Sequence, residues 1–227
     1  MPKITTINAI KTSGIFMGLL LGTLFLGYYT TDTTKKSLQH GPMNTGHEKL
    51  LCEDCHTKTE GSFRQQLQSK IKFALGRRKT DISMGTNLVS NAACKHCHSR
   101  ANDRHPVMRF EEPRFAQARA VIQPTECKSC HQEHQGARVT ATIDYCSNCH
   151  QNTKLENDPL DVPHAQLIQS KNWKLCLQCH DFHGNHITKT PTLLKDTIPI
   201  VFIEAYFRGS QASPYAEKKK YKTKTKE

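Results

Sequence analysis

Five Cys-x-x-Cys-His pentapeptides use all ten cysteines of the chain: Cys52/Cys55/His56, Cys94/Cys97/His98, Cys127/Cys130/His131, Cys146/Cys149/His150 and Cys176/Cys179/His180. Two thiols three positions apart can each add to one vinyl group of the same porphyrin, and the histidine that follows then lies beneath the iron as its proximal ligand. The chemistry implied is covalent attachment of haem c at five places. Other uses of the spacing fit less well. A zinc ribbon pairs two knuckles into one four-thiolate site, which favours an even number and does not require a histidine after each. A thioredoxin-like motif occurs once, near a βαβ pattern, and a disulfide framework has no reason to repeat both the three-residue step and the adjacent histidine.

An iron held on one side needs a ligand on the other. Eight histidines lie outside the motif ligand positions: His40, His47, His96, His105, His134, His164, His183 and His186. That supply exceeds the five irons, so every site is expected to be bis-His. The expected distal ligands are His47, His105, His134, His164 and His186. His186 is preferred to His183 because its Gly184-Asn185 approach gives the backbone latitude to aim it. His96 sits between two motif cysteines and reads as a surface residue, and His40 is held in reserve. Methionines beyond the N-terminal segment are Met43, Met84 and Met108. Bis-His ligation implies low-spin, low-potential iron, where Met/His would raise the potential. No catalytic residue is expected, because no CxxCK variant occurs and the spare histidines can close every iron.

The elements that must position these groups are short. Only 36% of the 227 residues are hydrophobic, too little for a conventional core once the N-terminal apolar segment is set aside. The expected fold is mainly α with extensive loops, short helices wrapped around five porphyrins that replace the oily interior. One helix is expected over FRQQLQSKIKFAL, with Phe63, Leu67, Ile71 and Leu75 on one face. A second is expected in RFAQARAVIQ, between Pro113 and Pro124, and a third at roughly 165–177. No period-two run suggests sheet.

Charge and hydropathy divide the chain into four parts: 1–31, an N-terminal membrane anchor; 32–39, a linker; 40–190, the pentahaem domain; and 191–227, an apolar docking segment with a Lys-rich tail. Lys3 and Lys11 precede a stretch free of charge up to Asp32, with its apolar heart at Ile15–Tyr29. This reads as one N-terminal transmembrane helix, because no small-x-small cleavage site follows it. The formal charge of +12 would ordinarily point to nucleic acid or an acidic partner. Each haem brings roughly −1 when ferric and −2 when ferrous, so much of the excess is expected as propionate counter-charge, and nucleic acid is not expected as a partner. The lysines from Lys218 to Lys226 read as a solvated end.

Close-set CxxCH motifs with histidines just before or after them, as in HEKLLCEDCH and CKSCHQEH, resemble the class III multihaem cytochromes, the cytochrome c3-like group, over roughly Gly46–His186. The resemblance implies a bis-His wire relaying electrons between redox partner proteins, with no enzyme chemistry of its own. Cytochrome c attachment in such families takes place on the outer face of an energy-transducing membrane. The expected placement is therefore the cytoplasmic membrane, single-pass, with the haem domain in the periplasm. A second resemblance is to membrane-bound quinol dehydrogenases that feed periplasmic nitrate and nitrite reductases, with an N-terminal helix before several haems, which would make quinol a partner. Those carry a Met close after one motif histidine; here Thr57, Ser99, Gln132, Gln151 and Asp181 follow the motifs. A multihaem reductase is the third and least favoured reading.

Overall fold

The computed structural model describes residues 3–30 and 41–224, in two compact units, Met1–Pro42 and Met43–Glu227. His40 and the linker 32–39 lie outside the described residues. In the first unit, helix α1 spans Lys3–Thr30. In the apolar stretch the Thr23 hydroxyl donates back to the carbonyls of Leu19 and Leu20. The expected transmembrane helix is not found: among the described residues no helix is long and apolar enough to cross a membrane.

The second unit is built from short helices: α2 (Cys52–Cys55), α3 (Phe63–Ala74), α4 (Asn91–Cys97), α5 (Ala116–Ile122), α6 (Ser147–His150), α7 (His164–Gln169), α8 (Lys174–Cys179) and α9 (Ile200–Phe207), with 3-10 turns between them. Among the described residues there is no strand, only the isolated bridges Lys58↔Thr86 and His186↔Lys219. Helices of four to twelve residues do not exceed the length that is marginal alone, so tertiary contacts must hold them.

Two of them show how. Helix α3 starts at Ser62, whose hydroxyl accepts from Gln65 N–H while Gln65 reaches back to Ser62 N–H, a reciprocal cap. Its buried residue is polar: Gln66 donates to the carbonyls of Thr59 and Gly61 and accepts from Gly85 N–H. The apolar face predicted for this helix stands exposed, Phe63 at 69%. Helix α9 lies at the other extreme, with Ile203 fully buried against Leu177 of α8 and Tyr215, flanked by Tyr145, Phe182 and Phe207.

The apolar segment after 190 packs on the body as a helix, α9 lying against α8. Two expectations change. The helix predicted over 165–177 is two helices, α7 and α8, broken where Lys171 turns left-handed (φ 55°). The tail is tied down as far as Lys224: Lys220 N–H donates to Asn185, Lys224 N–H donates to Cys97, and Tyr221 Oη accepts from Asn102 N–H.

Candidate functional site

In four of the motifs the two cysteines flank one turn and the histidine follows the end of the helix or 3-10 turn, while His150 is the last residue of α6. The N–H groups of His56, His98 and His180 donate to the carbonyls of Cys52, Cys94 and Cys176, four residues back. His131 does the same to Cys127 after a 3-10 turn in which Cys130 N–H also donates to Cys127. That closure fixes the side of the turn from which the imidazole projects.

Each motif histidine faces a histidine from elsewhere in the chain. The ring centroids are 6.4 Å apart for His56 and His134, 6.0 Å for His98 and His47, 6.1 Å for His131 and His183, 6.2 Å for His150 and His105, and 6.3 Å for His180 and His164. A metal–imidazole bond of about 2.0–2.1 Å and a nitrogen about 1 Å from its ring centroid put two imidazoles on opposite sides of one metal roughly 6 Å apart. A ring stacked in direct contact sits closer, as Phe182 does on His105 at 4.2 Å. The pairing, once each for all five motif histidines, is the observation that shows these residues fit haem: two thiols to tether the porphyrin edge and two imidazoles to bracket its iron.

His47, His105, His134 and His164 are therefore brought to motif histidines. His186, expected as the fifth distal ligand, is not. Gly184 does turn left-handed (φ 64°), but it carries His186 into the core, where the ring is 2% exposed, donates through Nδ1 to Asp181 at 2.7 Å and packs beside Tyr215. Pairing of His186 with Lys219 holds the backbone there. His183 meets His131 instead, held by Asp103. Sequence reasoning had both candidates in CHDFHGNH, and the signal that separates them is Asp181, which captures the histidine five residues on. His96 is exposed on α4, as expected. Among the methionines, Met108 and Met84 are exposed.

The distal histidines are oriented by their second nitrogen. His47 Nδ1 lies 2.8 Å from Glu133, His164 Nδ1 2.8 Å from Asp158 and His183 Nδ1 3.1 Å from Asp103, while His105 Nδ1 lies 2.6 Å from the Phe182 carbonyl. Each contact leaves Nε2 free for a metal. Burial lowers the pKa of His105 against the opposing pull of the Phe182 carbonyl, which keeps the ring in the neutral form that ligates. The carboxyl of Asp158 is held low by the backbone N–H of His164 and by its ring.

Successive sites adjoin in sequence order. Helices α2 and α4 of the first two motifs touch. Asn91 at the start of α4 donates to Thr125 and accepts from Cys127 N–H, and α4 touches the 3-10 turn Cys127–Ser129, joining the second motif to the third. The segment 103–105 locks against 182–183 through Asp103–His183 and His105–Phe182, joining the third site to the fourth. The 3-10 turn Ile143–Cys146 touches α8, joining the fourth to the fifth.

Tethering thiols and paired imidazoles on a scaffold with little apolar core define a multihaem c-type cytochrome. Residues 45–151 match the cytochrome c3 family, a stretch that holds the first four motifs and supports the same class. No curated protein and no solved structure matches the chain.

Proposed function

We propose that the chain is an electron carrier with five bis-His c-type haems, relaying electrons between redox partner proteins at the outer face of an energy-transducing membrane. The observation that carries this reading is the one-to-one pairing of the five motif histidines with five others at the spacing of a shared metal. Haem supplies one-electron iron chemistry when bound. The residues present would do the rest: the cysteine pairs fix each porphyrin, and His134, His47, His183, His105 and His164 close the faces opposite His56, His98, His131, His150 and His180. With both axial positions taken by protein, a reductase site has no iron face to work on. Contacts between successive motifs favour a relay, in which an electron passes from site to neighbouring site.

Helix α1 serves as the membrane attachment in this reading. Its side chains from Ile15 to Tyr28 are exposed at 55–69% where large and apolar, and such a surface is poorly tolerated by water. The test is to produce the chain in a host that matures c-type cytochromes and to measure intact mass and spectra. Expected are five haems per chain, an oxidised spectrum that is purely low-spin and a reduced Soret band that carbon monoxide leaves unchanged. A mass short of five haems, or a carbon monoxide shift, would overturn the reading.

A further inference from the structure

The five histidine pairs are not equivalent, and the difference lies in what the distal imidazole donates to. In the sites of His98, His131 and His180, the distal ligands His47, His183 and His164 hydrogen-bond to the carboxylates of Glu133, Asp103 and Asp158. In the site of His150, His105 donates to a neutral carbonyl, that of Phe182. In the site of His56, the Nδ1 of His134 is buried with no hydrogen-bond partner among the described residues. The motif histidines do not reverse this ranking, since their partners are all neutral: Asn87 O at 3.4 Å for His56, Arg138 O at 2.8 Å for His131 and Thr153 Oγ1 at 3.2 Å for His150.

A carboxylate on the second nitrogen makes the imidazole a more basic ligand and sets a negative charge a few ångströms from the metal. Both effects favour the ferric over the ferrous state, so the site accepts its electron at lower potential. A carbonyl does this weakly, and a bare Nδ1 does not do it at all.

We propose that Glu133, Asp103 and Asp158 are positioning residues that split the five irons into two tiers, with the His47, His183 and His164 sites low and the His134 and His105 sites high. This rests on the five-haem reading above. The first two electrons taken up then reside at the His56/His134 and His150/His105 sites, which in the order of contacts flank the two low sites of His98 and His131. Within the low tier the His183 site is the least depressed, because Arg100 lies 3.5 Å from Asp103 and offsets part of its charge. Glu133 also accepts from Asn44 N–H at 2.6 Å, a bond that Glu133→Gln can keep.

The experiment is a potentiometric titration of the holo-protein followed by electron paramagnetic resonance of the ferric signals. His134→Ala and His105→Ala each turn one low-spin signal high-spin and so identify the signatures of those two sites. In the native protein both signatures are expected to disappear first, ahead of the other three. Glu133→Gln, Asp103→Asn and Asp158→Asn are each expected to ease reduction of one iron on the order of tenfold, about 59 mV for a one-electron couple, with Glu133→Asp restoring the native value. The proposal is overturned if the His134 or His105 signature titrates with the later group, or if the carboxamide variants retain five haems and shift nothing. Intact mass is read first, so a shortfall of haem refutes the five-haem reading and is not confused with failure of the two-tier split.

Discussion

In residues 43–100 the side chains withdrawn from water are polar, Asn44 and Gln66, while Leu51, Phe63, Leu67, Ile71, Leu75 and Leu88 stand exposed. Around α8 and α9 the reverse holds, with Leu177, Ile203 and Tyr215 buried together and aromatic rings packed about them. The C-terminal corner is thus a small conventional core, able to gain from burial of its own side chains. Residues 43–100 have apolar surface but nothing of their own to bury it against, which is what a segment completed by flat apolar cofactors requires. One chain therefore combines two ways of holding a fold together.

That contrast can be broken most decisively by withholding haem. In a chain produced without cytochrome maturation, amide exchange across 43–100 is expected to lose protection by well over tenfold, while amides of 200–208 retain more of theirs; uniform loss would show that the two regions do not differ. Removing the best-buried side chain probes the other half. Ile203→Ala is expected to cost about 2–5 kcal/mol in denaturant unfolding, with the haem spectra of the first two sites unchanged below the transition. Gln66→Leu tests the polar plug of the first region: it strands the Gly85 N–H and the Thr59 and Gly61 carbonyls and is expected to cost about 1–3 kcal/mol, with faster exchange at Gly85. Gly209 has φ +80° and a Cβ there would meet the Thr45 side chain, so Gly209→Ala is expected to cost the left-handed strain of about 1–2 kcal/mol together with the shift of Thr45, read in denaturant unfolding.

The sequence carries the sites more legibly than the fold. Covalent attachment demands fixed spacing within five residues, so the motif ligands are readable from local order alone. His47, His105, His134 and His164 stand out as loose histidines near motifs or prolines, and the structure sets all four opposite motif histidines. The choice between His183 and His186 is only half local: Asp181 holds the second from five residues away, but the bridge to Lys219 and the capture of His183 by Asp103, eighty residues away, depend on partners distant in sequence. Helix α3 shows the same limit. Its apolar periodicity marks a helix correctly, but the face that docks is the polar one, because the neighbouring loop offers Gln66 three backbone partners. The break between α7 and α8 was hidden for a similar reason, since Lys171 in a left-handed turn has no signature that glycine or proline would give.

Exchanging the roles of the two histidines in CHDFHGNH tests the paired-imidazole geometry most directly. The measurement is the carbon monoxide difference spectrum of reduced His183→Ala and His186→Ala holo-proteins. The account predicts one carbon monoxide-binding haem in His183→Ala and none in His186→Ala. Carbon monoxide binding by His186→Ala, with His183→Ala remaining closed, would contradict it.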